Sequence, residues 1–149
     1  MSLPPARFLF AGLAGIALTL SSCTPGAPPA SAVGGGCRVI HVVDGDTVDM
    51  VCPDEGRFRA RLTGYDTPES FAPRCAEEAQ RAHQATARLR ALVRSAVRVE
   101  ARLGGVDRYN RRLVHLRLDG VDVGATLISE GLAVRYAGGR RIDWCARMG

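Results

Sequence analysis

Lysine is absent from this chain: all 20 basic residues are arginine, set against 15 acidic ones for a net charge of +5. Any grip on phosphate must then come from guanidinium, whose planar fork binds phosphate oxygens in pairs, although a GC-rich coding preference would leave the same bias. No Cys-x-x-Cys pair or Cys/His cluster occurs, which speaks against a zinc site. Gly-x-Ser-x-Gly, the P-loop and His-Glu-x-x-His are also missing, so hydrolysis built on serine, nucleotide or zinc has no support. His41, His83 and His115 are scattered without ligand or relay spacing. Internal repeats are absent, and the apolar run from Phe8 to Leu20 is shorter than the roughly 20 residues that span a bilayer.

What remains is a chain of 149 residues, 46% hydrophobic and 23% charged, with room for one ordinary folded domain. Arg7 and the apolar run behind it read as a signal peptide over residues 1–22. Leu20-Ser21-Ser22-Cys23 resembles a bacterial lipobox, in which Cys23 is lipidated and becomes the new N-terminus. Ala30-Ser31-Ala32 is a rival cleavage site, but it lies well beyond the apolar run. Residues 23–36 are then the lipidated cysteine and a flexible linker, with three prolines and four glycines between Thr24 and Gly36. The expected location is the cell envelope, lipid-anchored on the periplasmic or outer face, or the secreted medium. The lipid anchor is the one expected contact with a membrane, and the protein is expected to be a monomer.

With Cys23 set aside, Cys37, Cys52, Cys75 and Cys145 remain, an even number that reads as two disulfides in an exported chain. If Asp44-Gly45 is a two-residue type I′ turn, Val43 opposes Asp46 and Cys37 opposes Cys52. Ladder counting makes 37:52 a hydrogen-bonded pair, the wider kind. Elimination then joins Cys75 to Cys145.

Residues 38–43 and 46–51 read as a valine-rich hairpin, and 58–62 alternates Phe58, Ala60 and Leu62 against the arginines Arg59 and Arg61. A helical pattern runs from Cys75 to Ser95, strands follow at 97–103 and 113–118, and a short helix at 123–130 has Asp122 as N-cap and Gly131 as its stop. The order β-β-β-α-β-β-α predicts a β-rich α+β domain over 37–149, a five-stranded Greek-key barrel of the OB type with about two helices. Arg61 and Asp66 are five apart, so in a regular strand they face opposite ways. If both serve one site, the strand must break between them, and Gly64 is the residue able to do it.

Three segments carry acids and arginines together: Asp44-Gly45-Asp46-Thr47, then Arg61-Leu62-Thr63-Gly64-Tyr65-Asp66-Thr67-Pro68-Glu69, then Asp107-Arg108-Tyr109-Asn110-Arg111. Phosphodiester hydrolysis needs a hard cation on oxygen ligands, a carboxylate for water and fixed positive charge around the transferred phosphoryl group. In composition and order the segments resemble the staphylococcal nuclease-like (thermonuclease) family over about Val39 to Tyr136.

The resemblance implies a Ca²⁺ site on Asp46, Asp66 and the Thr67 carbonyl, Glu69 as general base or water-positioning group, and Arg61 with Arg111 clamping the phosphoryl oxygens. Tyr109 and Arg108 are candidate substrate contacts. The family commonly has glycine where this chain has Asn110, the next most tolerant residue of a left-handed backbone. The Asp-x-Tyr-x-Arg register selects Arg111 over Arg112, while Tyr136 reads as packing and Arg140-Arg141 as a pair that steers substrate. The implied activity is hydrolysis of DNA and RNA with little sequence preference, leaving 3′-phosphates. The alternative is a non-catalytic nucleic-acid-binding OB module tethered at the envelope.

Overall fold

The computed structural model describes residues 36–148, so the expected signal peptide, Cys23 and nearly all of the expected linker lie outside the described residues. Strands β1 (Arg38–Val42), β2 (Thr47–Cys52) and β3 (Gly56–Leu62) form an antiparallel meander. Helix α1 (Ala76–Ser95) follows, then β5 (Val99–Val106) and β6 (Arg112–Leu118), which pair antiparallel. Because β6 also pairs parallel with β3, the sheet order is β1-β2-β3-β6-β5. The five strands expected from the sequence are thus all present, in the Greek-key order of a partly open OB-like barrel.

The remaining elements are short, and the three extra strands have too few residues to show a periodicity. Strand β4 (Gly64–Asp66) pairs with β8 (Val134–Tyr136) as a separate ribbon, β7 (Val121–Asp122) pairs with β6, and α2 (Val123–Ser129) and α3 (Trp144–Met148) complete the chain. Asp122 caps α2, its carboxylate accepting from Ala125 N at 2.6 Å, and Gly131 follows in the left-handed conformation. The alternation of β2, β3 and β6 places Val48, Met50, Ala60, Leu62, Val114 and Leu116 in the core, where Leu89 of α1 and Leu127 of α2 meet them. Truncating a leucine such as Leu89 there costs about 2–5 kcal/mol.

The first hairpin corrects the expected turn. Neither Asp44 nor Gly45 has a positive φ, and Val42 faces Val48, so the connection spans 43–46 and Val43 does not oppose Asp46. Farther out, a bulge between Val39 and His41 absorbs the extra residue, and Arg38 faces Val51 as counting foresaw. Cys37 and Cys52 are therefore bonded, with Cα atoms 4.1 Å apart. That is the close spacing of a non-hydrogen-bonded pair rather than the wider kind. The type I′ geometry belongs instead to the chain's other Asp-Gly pair, Asp119-Gly120, with φ of 51° and 82° between Leu118 and Val121.

Candidate active site

The 43–46 connection is held by an Asx turn, Asp46 N donating to Asp44 Oδ1 at 3.0 Å. Glycine at 45 answers to space rather than to φ: a Cβ there would lie 2.9 Å from Thr67 Oγ1 and 3.0 Å from Ala85 Cβ. The buried Tyr65 hydroxyl donates to the Gly45 carbonyl at 3.1 Å. Together these contacts press the loop onto the segment that carries Asp66 and Thr67. Asp46 is buried, and its Oδ2 accepts from Thr67 N at 3.3 Å and Thr67 Oγ1 at 2.9 Å. Burial pushes the neighbouring Asp44 carboxyl up.

The strand break expected at Gly64 is present. Its φ is +92°, β3 ends at Leu62, and the chain leaves the main sheet to pair with β8. Arg61 and Asp66 consequently face the same point. Arg61 Nη2 donates to Asp66 Oδ1 at 3.0 Å, and Nη1 is ion-paired with Asp46 Oδ1. Burial pulls the Arg61 guanidinium below its ordinary value, with Asp66 opposing the fall. One half-buried arginine thus stops two converging carboxylates from repelling each other.

Glu69 opens a loop that Glu78 of α1 supports from beneath. The buried Glu78 carboxylate accepts from Arg74 N at 2.7 Å and Glu69 N at 3.3 Å. Glu78 stands three residues after the N-cap Cys75, the position from which a glutamate reaches back over a helix start. The Glu69 side chain accepts from Phe71 N at 3.0 Å, and that amide, aided by Arg141, holds its carboxyl below the usual range. Phe71 itself is 77% exposed at the edge of the site.

The β5–β6 connection positions Arg111. Asp107 Oδ1 accepts from Tyr109 N and Arg111 N, both at 2.9 Å, and Oδ2 accepts from Arg111 Nε at 2.8 Å. Asn110 adopts φ 61°, the left-handed conformation its side chain tolerates. Arg111 Nη1 then donates to Thr47 Oγ1 at 3.3 Å, and Thr47 in turn donates to Asp46 at 3.2 Å. Arg112 points elsewhere, paired with Glu55 and donating to the Gly104 carbonyl at 3.2 Å. Tyr109 lies under two guanidinium groups, those of Arg108 at 4.8 Å and Arg111 at 5.4 Å from the ring centroid.

Arg141 is the residue that sequence reasoning placed too far out. Although exposed at the surface, it also reaches into the site: its Nε is 2.7 Å from Asp66 Oδ1 and its Nη2 donates to the Thr67 carbonyl at 2.8 Å. Burial acts to lower this guanidinium, but Asp66 and Glu69 outweigh it and hold Arg141 above its ordinary value. Trp144 also reaches Asp66, with Nε1 at 3.4 Å from Oδ2. The available signal was Gly138-Gly139-Arg140-Arg141 ahead of Trp144-Cys145, a turn followed by a fastening point. Tyr136 packs and also lines the site, its hydroxyl donating to the Gly139 carbonyl at 2.7 Å.

Asp46, Thr67, Glu69, Arg61, Arg108, Tyr109, Arg111 and Arg141 all line one cavity of about 620 Å³, with Asp66 buried directly behind them. The Asp46 and Asp66 carboxylates and the Thr67 carbonyl are oxygen donors gathered where the fold has put guanidinium charge, a set suited to a hard divalent cation. Cys75, Glu78 and Cys145 also cluster, but both sulfurs are tied up in a disulfide and offer no thiolate.

A family model described as Staphylococcal nuclease homologue matches residues 59–143. That span takes in Arg61, Asp66, Thr67, Glu69, Arg108, Tyr109, Arg111 and Arg141, and begins after Asp46. Over 96 residues the chain is 33% identical to Thermonuclease from Staphylococcus hyicus, covering 64% of this chain and 56% of that protein. The chain thus spans little more than half the length of this curated relative.

Proposed function

The chain belongs to the staphylococcal nuclease homologue family, and from that premise we propose that it is a metal-dependent phosphodiesterase. It cuts DNA, RNA or both with little sequence preference. The observation that carries this reading is the convergence of Glu69, Arg61 and Arg111 on one cavity beside the buried pair Asp46 and Asp66. A module that only binds a polyanion gains nothing from three carboxylates at its centre.

Asp46, Asp66 and the Thr67 carbonyl would hold the ion, with Ca²⁺ the best match to an all-oxygen set, and it would supply positive charge to the phosphoryl oxygens. Arg61 and Arg111 grip the same group from the β3 and β5–β6 sides and stabilise charge as it builds. Glu69, held ionised by the Phe71 amide, orients the attacking water and takes its proton. The new bond forms between water oxygen and phosphorus, the bond from phosphorus to the 5′ oxygen breaks, and a 3′-phosphate remains. The departing oxygen takes its proton from solvent.

We place the protein outside the cytoplasm, at the envelope through a lipid on Cys23 or secreted, acting as a monomer. The disulfides Cys37–Cys52 and Cys75–Cys145 support an oxidising compartment. The deciding experiment is a plasmid and RNA digest with Ca²⁺ and with chelator, alongside Glu69→Gln. Ion-dependent cleavage that Glu69→Gln slows by about 10²–10⁴-fold supports the reading. Nucleic-acid binding without cleavage under either condition would establish the non-catalytic binding module instead.

A further inference from the structure

Each acidic group of the proposed ion site already carries a protein donor, and one of those donors reaches two of its groups and Glu69 at once. Arg141 Nε meets Asp66 Oδ1 at 2.7 Å, its Nη2 meets the Thr67 carbonyl at 2.8 Å, and its Nη1 lies 3.4 Å from Glu69 Oε2. Arg61 cannot be the group that yields, since it sits within β3 with its side chain 13% exposed. The Arg141 side chain is 43% exposed and springs from the segment between β8 and α3, outside any strand or helix.

Its placement is built from both flanks. On one side, β8 pairs with β4 so that Val134 faces Asp66, and Gly138 and Gly139, with φ of 105° and 89°, turn the chain back toward the site. On the other, Trp144 is buried against Asp66 and Cys145 is bonded to Cys75 at the start of α1. The cluster of Asp46, Asp66 and Glu69 is thereby neutralised in part by two guanidiniums, one on β3 and one on a more exposed side chain outside any strand or helix.

We propose that Arg141 is a cation built into the acidic site, holding the oxygens at which a divalent ion binds and giving them up when the ion arrives. Two cations cannot use the same lone pairs, so ion affinity is reduced by the strength of Arg141's hold. Once displaced, Arg141 stands at the cavity mouth as a third guanidinium for the phosphate backbone. This inference rests on Asp46, Asp66 and the Thr67 carbonyl being the ion site.

The test is calorimetric titration of Ca²⁺ into the disulfide-bonded protein and into Arg141→Gln and Arg141→Lys, with melting curves in chelator and in Ca²⁺. Arg141→Gln should bind Ca²⁺ about tenfold more tightly than the parent, the factor one charge-assisted contact is worth. Arg141→Lys should fall between, and Ca²⁺ should raise the melting temperature of Arg141→Gln by more than that of the parent. Equal or weaker binding by Arg141→Gln overturns the proposal and leaves the ion site standing. No Ca²⁺ binding by any of the three proteins overturns both.

Discussion

Arg61 Nη2 and Asp66 Oδ1 are 3.0 Å apart, although five residues of a straight strand would point the two side chains to opposite faces. The chain turns at Gly64, with φ +92° and no atom within 4 Å of where a Cβ would sit. Gly56 has the same freedom of space at φ +66°, but lies at the far end of β3. Alanine at either position should cost about 1–2 kcal/mol through backbone strain alone. Both variants should melt earlier by similar amounts, while Gly64→Ala alone loses turnover because it rotates Asp66 away from Arg61. Equal activity in the two would show that the break at Gly64 does not set the site.

Arg111 and Arg112 are adjacent in sequence and divide in space, one at Thr47 and the cavity, the other at Glu55. Arg111→Ala should lower kcat roughly 10²–10³-fold, the scale for removing one donor to a developing oxyanion, with the fold retained. Arg112→Ala should cut at the parental rate. Arg61→Ala carries a second cost, since it leaves buried Asp46 and Asp66 without their shared partner, about 3 kcal/mol. Steady-state kinetics beside thermal unfolding separates the two effects, and an active Arg111→Ala would remove that residue from the chemistry.

The five long strands and the long helix were legible because alternation and helical spacing persist over enough residues to be counted, as in Phe58 to Leu62, and the short second helix because Asp122 and Gly131 mark its ends. Strands β4 and β8 were not, since three residues such as Gly64–Asp66 carry no period and their pairing is decided by distant packing. The site followed the same division. Asp46, Asp66, Glu69 and Arg111 lie in short motifs whose order is informative, whereas Arg141 comes from the C-terminal segment and reaches Asp66 through a turn and a disulfide. The Cys37–Cys52 pairing was reached through a turn type that the loop does not have, because the bulge at Ile40 cancels the longer connection.

Phe71 and Tyr109 are 77% and 64% exposed at the rim of an otherwise charged cavity. An exposed ring beside arginines proposed to bind phosphate suits an unstacked base, and such stacking is worth about 1–3 kcal/mol per base. Phe71→Ala and Tyr109→Ala should each raise KM on single-stranded substrate roughly 5- to 100-fold on that scale, with kcat little changed. Duplex DNA, whose bases are covered, should be affected less. Equal losses on both substrates would assign these rings to loop packing.

Asp107 gives a pH dependence with a defined sign. Burial acts to raise its pKa, but the amides of Arg111 and Tyr109 and the Arg111 guanidinium together hold it below 3.8. A depressed folded pKa means the stabilisation is complete above the ordinary aspartate range and is lost as pH falls through the lower folded value. A carboxyl titration by NMR should therefore place Asp107 below 3.8, with the Arg111 amide shifting in the same step. Asp107→Asn should abolish that step. An Asp107 titrating at or above 3.8 would mean that it does not hold the β5–β6 loop.

The two disulfides differ in span and in access. Cys37–Cys52 joins residues 15 apart and both sulfur-bearing residues are buried; Cys75–Cys145 joins residues 70 apart and both are half-buried. Chain entropy assigns about 3 kcal/mol to the shorter loop and about 4 kcal/mol to the longer. The longer bond should nonetheless open first in mild reductant, because a thiolate must reach the sulfur it attacks. Alkylation and peptide mapping after brief reduction should label Cys75 and Cys145 before Cys37 and Cys52. The Cys75→Ser/Cys145→Ser variant should lose stability and also free the segment that carries Arg141 and Trp144, so its apparent Ca²⁺ affinity should rise toward that of Arg141→Gln. Loss of stability with no change in ion binding would mean that β8 alone holds Arg141 at Asp66.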